Sequence, residues 1–307
     1  MMSEPSLKRA PRVSVIMTIY NAGPYLKEAV DSLLFQTFDS WELIAVENGS
    51  SDESPAVLAG YRDERVRTFA LPKNIGRTPA LRYAFERAEG KYIAVLDADD
   101  VSYPERLKRQ ADYLDQHPEI GLVGSWADQI NEQGEVTGKH KPSSDNRELN
   151  ESLGWSNPFV HSSIMYRTDL ARKTGGYPES YTYAQDYALI LNMAKEARVA
   201  LLPEPLIQWR ILKTSITRSP EYAVVAAREG FLLFQIAGQN GSLSKSSLKR
   251  KQLSQAVSQL KYGYSLMKNE NFFGGLRLAV GAVLKNPACL IMNGPIVRLI
   301  QSIRTAL

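Results

Sequence analysis

The chain has 307 residues, of which 44% are hydrophobic and 23% charged, and it carries a formal net charge of +4. That composition excludes collagen-like, disordered and disulfide-stapled proteins, and the length suits one α/β domain of about 220 residues with a smaller module. The charge is unevenly placed: residues 241–307 hold ten Lys/Arg and one acid, Glu270, which leaves 27 basic and 32 acidic residues in 1–240. The single cysteine, Cys289, cannot close an intramolecular disulfide, so a reducing, cytoplasmic setting is expected. The opening MMSEPSLKRAPR has no signal-peptide core, and no uncharged apolar run reaches the roughly 18–20 residues of a membrane span.

The first apolar run, residues 12–19 (RVSVIMTI), reads as a strand, and Asn21, Gly23 and Pro24 supply turn chemistry before a helix over 24–36. Trp41–Val46 reads as a second strand ending at Asn48-Gly49-Ser50, and Ser54-Pro55 opens a second helix. Strands are predicted at 65–70 and 91–96, with a helix at 77–89 between them. This alternation predicts βαβ units, a mostly parallel sheet covered on both faces, and a ligand crevice along the carboxyl ends of its strands. Beyond Pro104 a helix is expected over 105–116, strands over 120–126 and 159–166, and an exposed polar loop over 131–150. A helix follows over 184–197, with short extended pieces over 198–211 around Pro203 and Pro205. From about residue 220 the pattern is helical only, at 221–238, 246–267, 271–284 and 294–306, and residues 252–286 resemble a single tetratricopeptide-type hairpin.

Three polar clusters end three of these strands. Asp97-Ala98-Asp99-Asp100 packs carboxylates so closely that a compensating cation is expected, and hard oxygen ligands suit Mg²⁺ or Mn²⁺. A solvated acidic turn before Pro104 is the plainer reading. Glu47-Asn48-Gly49-Ser50-Ser51-Asp52 and Thr18-Ile19-Tyr20-Asn21 are each explicable as strand-to-helix punctuation, with Asp52 as a cap. A parallel sheet nevertheless brings all three clusters to one crevice.

The runs PRVSVIMTIYN, WELIAVENGSSDES and NIGRTPALRYAFERAEGKYIAVLDADD, followed by NPFVHSSIMYR, GGYPE and QDYALILNMA, resemble an inverting family 2 glycosyltransferase of the GT-A fold over roughly residues 11–218. The resemblance implies a nucleoside-diphosphate sugar as donor, with a UDP-sugar favoured, and Mn²⁺ or Mg²⁺ as cofactor. It places Thr18 and Tyr20 in the nucleoside pocket and Glu47 and Asn48 at the base and ribose. Asp97, with Ala98 beside it, falls on the nucleoside side, and Asp99 falls on the metal, with Asp97 as a further candidate ligand. Arg77 and Arg82 match a segment near the donor, where either can assist a phosphate or serve as a solvated helix face. Asp186 of Gln185-Asp186-Tyr187 matches the catalytic base, although its position alone would read as a helix N-terminal carboxylate. His161 matches an acceptor-side histidine, and a satisfied buried histidine is the competing reading.

Departures from the family pattern are informative. Asn48 stands where a second aspartate is common, which touches the choice of nucleotide. Gln185 replaces an acidic neighbour of the base. The segment Trp209-Arg210-Ile211-Leu212-Lys213, expected on the acceptor side, has Leu212 where the family often has a histidine, with Lys213 next to it as a replacement cation.

The expected organisation is a GT-A catalytic domain over 1–220, with a donor half at about 11–110 and an acceptor half at 111–220, and a basic helical extension over 221–307. In that extension Ile296, Leu299, Ile300 and Ile303 share a helical stripe flanked by Arg298 and Arg304, a pattern that suits either an anionic membrane surface or packing against protein. A glycan or lipid-linked acceptor of bacterial surface-polysaccharide synthesis is expected, at the cytoplasmic face of the membrane if the extension binds lipid. No groove-reading motif points to nucleic acid. The rival readings are a nucleotidyltransferase, which would want a Gly-rich basic loop that TIYNAGPY lacks, and a non-catalytic sugar-nucleotide or glycan-binding module, against which Asp97, Asp99 and Asp186 argue.

Overall fold

The computed structural model describes residues 10–212, 225–226, 228–230, 232–233, 245–269 and 272–290. Two units divide the chain. One comprises residues up to Pro142 with Phe159–Tyr177 and Glu196–Ile211, and the other comprises Ser143–Pro158, Pro178–Lys195 and the chain from Leu212 onward.

The first unit is built on a nine-stranded sheet of β1 (Val13–Ile19), β2 (Trp41–Glu47), β3 (Val66–Ala70), β4 (Tyr92–Val95), β5 (Val101–Ser102), β6 (Ile120–Ile130), β7 (Val136–His140), β8 (Met165–Arg167) and β9 (Arg198–Arg210). The spatial order is β3-β2-β1-β4-β8-β6-β9-β5, with β7 beside β6. Strands β3, β2, β1 and β4 are mutually parallel, as the βαβ alternation predicts. On the far side the sheet is mixed: β8 is antiparallel to β4 and β6, while β9 runs parallel to β6.

Residues Val13, Val15, Met17 and Ile19 of β1 share a core with Leu26, Ala29, Val30 and Leu33 of α1 (Gly23–Leu34) and with Leu107, Ala111 and Leu114 of α4 (Arg106–Gln116). The alternate residue Ser14 points to the other face, where its hydroxyl donates to Glu42 (2.6 Å) and accepts from the N–H groups of Glu89 and Gly90. Helix α2 (Ser54–Ala59) lies between β2 and β3 in the chain, α3 (Arg77–Arg87) precedes β4, and α6 (Thr168–Lys173) follows β8.

Three stretches differ from the sequence expectation, one of them the strand expected over 159–166, where His161–Ser163 form a 3₁₀ turn and only Met165–Arg167 is a strand. The expected loop at 131–150 contains β7, joined to β6 by a turn in which the Asn131 side chain accepts from Gln133 and Glu135 and Gly134 has φ +83°. It also contains α5 (Asn146–Ser152), whose first turn is capped by Asp145 accepting from Arg147 and Glu148. Both elements are short and polar, so no apolar period announced them. The extended pieces at 198–211 are instead one 13-residue strand. Pairing with β6 jumps from Leu202 to Pro205, so the prolines sit where the ladder is irregular and their missing N–H groups break no bond.

In the second unit, α5 and α7 (Gln185–Ala194) accompany a helical hairpin of α8 (Lys245–Asn269) and α9 (Phe272–Lys285), as the pattern predicts. Ala256, Leu260, Ala279, Ala282 and Cys289 form its core. Backbones touch where Gly263 meets Gly275: a Cβ on Gly275 would lie 2.3 Å from the Gly263 carbonyl oxygen. The helix expected at 294–306 lies outside the described residues, as does much of 221–238. Among the described residues, no helix is long and apolar enough to cross a membrane.

Candidate active site

Because β1, β2 and β4 are parallel and in register, their carboxyl ends deliver three loops to one edge of the first unit. Thr18 there is half-buried and Tyr20 is exposed. Asn21, at φ +53°, ties the first loop to the second, its amide oxygen accepting from the Ser51 N–H at 2.9 Å and its own N–H donating to the Ser50 hydroxyl at 3.1 Å. Asp52 accepts from Ser54 (3.0 Å) at the start of α2 and from Gly23 (2.9 Å) at the start of α1, so it secures two helices. Those hydrogen bonds outweigh burial and hold its carboxyl below the usual range.

Glu47 and Asn48 are both buried. Glu47 folds back to accept from the backbone of Ser50 at 2.6 Å and Gly49 at 3.3 Å. The Asn48 amide donates to the Asn74 side chain (3.1 Å) and the Gly76 carbonyl (3.3 Å) and accepts from the Ile75 N–H (3.0 Å). Its substitution for the common aspartate therefore has a local cause, since an aspartate has no hydrogens to give to those two oxygens. Gly49 has φ +73°, and a Cβ there would lie 2.4 Å from the Lys73 carbonyl carbon, so only glycine lets the two loops meet.

The aspartate cluster follows β4 with three distinct environments. Arg77, the first residue of α3, places Nη2 2.6 and 2.7 Å from the two Asp97 oxygens. Burial opposes ionisation of Asp97, but the guanidinium outweighs it and holds the carboxyl well below the usual range. Asp100 is buried, accepts from the Ser162 hydroxyl and from the Arg210 N–H at 2.8 Å, and is pushed upward by burial and by its two acidic neighbours. Among the described residues, the Asp99 carboxylate alone of the three accepts no hydrogen bond from another residue, and burial and the charge of Asp97 raise it to about 6. Ala98, between them, is buried.

His161 opens a short 3₁₀ turn, His161–Ser163, and is buried. Its Nδ1 lies 3.1 Å from Arg77 Nη2 and its Nε2 lies 3.0 Å from the Tyr177 hydroxyl. Arginine can only donate, so the Arg77 contact requires an unprotonated Nδ1, whereas the Asp97 carboxylate 3.5 Å from the same nitrogen can only accept. The histidine expected on the acceptor side thus contacts Arg77 and Tyr177. Arg210, likewise expected on the acceptor side, is buried against the aspartate loop, donating to the Asp99 carbonyl at 2.8 Å and to Glu28 at 2.5 Å. Trp209 stacks edge-on with His140 at 6.0 Å, and Arg82 donates to the Tyr177 carbonyl at 2.8 Å.

Sequence reasoning missed Arg106. It is fully buried and donates to the carbonyls of Val95 (2.7 Å) and Ile164 (3.2 Å), and its Nη1 has no hydrogen-bond partner among the described residues. Burial lowers it to about 9 against the pull of Asp100 and Asp97, which leaves it charged at neutral pH. A cation on the second residue after Pro104 reads as ordinary helix surface, and only the sheet reveals it as a buried countercharge.

In the second unit, Asp186 occupies the first turn of α7 and is half-buried. The Asn157 amide donates to Oδ2 at 3.0 Å, and among the described residues Oδ1 receives no hydrogen bond. Gln185 is buried, Leu212 is half-buried, and Lys213 lies outside the described residues.

Among the described residues, no three His, Cys, Asp or Glu side chains gather as a complete metal centre. The donor set nevertheless fits Mg²⁺ or Mn²⁺, which commonly take one or two carboxylates and complete their shells with water and substrate phosphates. The unbonded carboxylate of Asp99, raised by a like charge, is the group whose chemistry calls for a cation.

Comparison with known proteins identifies the family. Residues 14–175 match the family described as "Glycosyl transferase family 2", and the chain belongs to that family. It is 34% identical over 221 residues to the O-antigen biosynthesis glycosyltransferase WbnJ of Escherichia coli, a match covering 70% of this chain and 85% of that protein. To the amylovoran biosynthesis glycosyltransferase AmsE of Erwinia amylovora it is 31% identical over 202 residues, covering 64% of this chain and 75% of that one. S. aureus TarS 1–349 in complex with UDP-GlcNAc superposes with a TM-score of 0.62 at 20% identity, covering 89% of this chain and 79% of that one. The mannosyltransferase PcManGT of Pyrobaculum calidifontis, in complex with GDP-Man and Mn²⁺, gives 0.58 at 20% identity, covering 92% and 82%. At those identities the two structures establish the shared GT-A-type fold.

Proposed function

We propose that this glycosyltransferase moves a sugar from a nucleoside-diphosphate donor to a hydroxyl acceptor in one displacement, with inversion at the anomeric carbon. The observation that carries the reading is the division of labour among the aspartates: Asp97 is engaged by Arg77, Asp100 is enclosed, and the Asp99 carboxylate accepts no hydrogen bond among the described residues. Asp99, with Asp97 as a further candidate, would hold Mn²⁺ or Mg²⁺, and such an ion, when bound, neutralises charge developing on the departing diphosphate. Thr18, Tyr20 and Glu47 line the donor edge, and Asn48 shapes it through the 74–76 loop. Oδ1 of Asp186, which receives no hydrogen bond among the described residues, takes the proton from the acceptor hydroxyl as its oxygen bonds to the anomeric carbon and the bond from that carbon to the phosphate oxygen breaks. The names of WbnJ and AmsE favour a bacterial surface polysaccharide or a lipid-linked glycan as acceptor, and the TarS complex favours a UDP-sugar.

The test measures binding of UDP and GDP in the presence of Mn²⁺, and nucleotide release from UDP-, GDP- and dTDP-sugars. Asp99→Asn is expected to weaken Mn²⁺-dependent nucleotide binding, and Asp186→Asn to abolish turnover while leaving binding within about twofold. Loss of nucleotide binding in Asp186→Asn would reassign that residue to the donor.

A second reading concerns the extension. Helix α9 exposes Phe272, Phe273, Leu276, Val280 and Leu284 on a chain region with ten basic residues and one acid. This favours a peripheral contact with anionic lipid, where each near-surface cation contributes about 1 kcal/mol. Co-sedimentation with phosphatidylglycerol vesicles is expected, and it should fall when Phe273 and Leu284 are both changed to serine. Equal sedimentation of that variant removes the reading.

A further inference from the structure

Helix α7 begins without a side-chain cap of its own, because Ala184 stands at the N-cap position. Its start is secured from 45 residues further along the chain. Glu229 is 4% exposed, and its carboxylate accepts hydrogen bonds from three successive backbone N–H groups, those of Thr182, Tyr183 (2.9 Å) and Ala184 (2.8 Å). The described residues on either side of it have helical backbone. Charge-assisted bonds from adjacent amides leave the turn little freedom, and Asp186 lies two residues beyond the last of them. Burial and the charge of Glu229 also raise the hydroxyl of Tyr181 at the other end of the turn.

A carboxylate is a costly group to bury for packing alone, and an apolar side chain of similar size would fill the space without its desolvation. What the carboxylate adds is direction. Each of its oxygens takes a defined donor, so the turn from Thr182 to Ala184 has one arrangement, and the first turn of α7 is aimed by it.

We propose that Glu229 is a positioning residue that holds the 182–184 turn and thereby orients the Asp186 carboxylate for proton abstraction. The inference rests on Asp186 being the base. The glutamine variant keeps the size of the side chain but turns an amide N–H₂ toward backbone donors, whereas aspartate keeps the charge on a shorter stem.

The experiment uses the full chain and the sugar nucleotide with the fastest nucleotide release. Glu229→Gln and Glu229→Ala are expected to lower kcat about 10- to 100-fold with UDP affinity within about twofold, and Glu229→Asp to recover part of the loss. Hydrogen exchange should rise in peptides covering 180–187 and stay unchanged over β1, β2 and β4. Wild-type kcat in Glu229→Gln, or exchange that rises equally across the chain, overturns the proposal. Undiminished turnover by Asp186→Asn would overturn the base assignment alone, and unchanged exchange at 180–187 in Glu229→Gln would then overturn the positioning role separately.

Discussion

At the residue scale, the chemistry depends on charges that the protein has already partly neutralised. Asp97 has Arg77, Asp100 has the Ser162 hydroxyl and the Arg210 amide, and the buried Arg106 donates to two carbonyls and Gln110. Replacing Arg106 by methionine keeps much of the volume but leaves the buried Val95 and Ile164 carbonyls and Gln110 without their donor, so a loss of about 1–3 kcal/mol is expected in urea-melt stability. A second substitution tests why this chain departs from the family at residue 48. Asn48→Asp sets a carboxylate against the Asn74 and Gly76 oxygens and should cost about 1–3 kcal/mol, measured as a fall in urea midpoint with no change in slope. An unchanged midpoint would mean that the amide hydrogens contribute nothing there.

At the element scale, two close approaches fix the geometry. Gly49 lets the loop after β2 touch the backbone of Lys73, and Gly263 and Gly275 let α8 and α9 meet carbonyl to backbone. Gly275→Val adds atoms where a Cβ alone would be 2.3 Å from a carbonyl oxygen, and no flexible side chain can yield there. The expected result is protease cleavage between α8 and α9 in the variant and none in the parent, with the exchange protection of β1 and β2 retained. Element periods were legible where an apolar face is continuous: β1, β2, β4, α1, α3, α7 and the α8–α9 hairpin all fall within a few residues of their sequence limits. They were illegible where a short element is polar on most sides, as in β7 and α5, or where prolines interrupt a long strand, as in β9.

At the scale of the whole molecule, pH acts through ion pairs away from the chemistry as well as within it. Asp115, at the end of α4, accepts from Tyr92 at 2.6 Å and from Lys91 and Arg12. Burial opposes its ionisation, yet these partners bring it down to about 2, below the roughly 4 of an unfolded aspartate. A depressed folded value contributes stability that is present above about pH 4 and lost as pH falls toward 2. The melting temperature of Asp115→Asn should therefore lie below the parent at pH 6, and the gap should close as the pH approaches 2.5. A gap that is the same at both pH values would show that the pairing contributes no charge-dependent stability. Charge is also divided along the chain, and the acidic body holds the carboxylates proposed for cation and proton, while the basic excess lies in the extension.

The sequence by itself determined the family, the parallel strands and the aspartates at their ends, because apolar periodicity and motif spacing are local properties that survive without coordinates. It also determined that Asp186 opens a helix. The tertiary structure alone decided which aspartate carboxylate accepts no hydrogen bond among the described residues, that His161 contacts Arg77 and Arg210 contacts Asp99 and Asp100, that Asn48 braces a neighbouring loop, and that Arg106 and Glu229 are buried charges with assigned partners. Those outcomes depend on hydrogen bonds between residues tens of positions apart, and no local pattern records which long-range donor meets which acceptor.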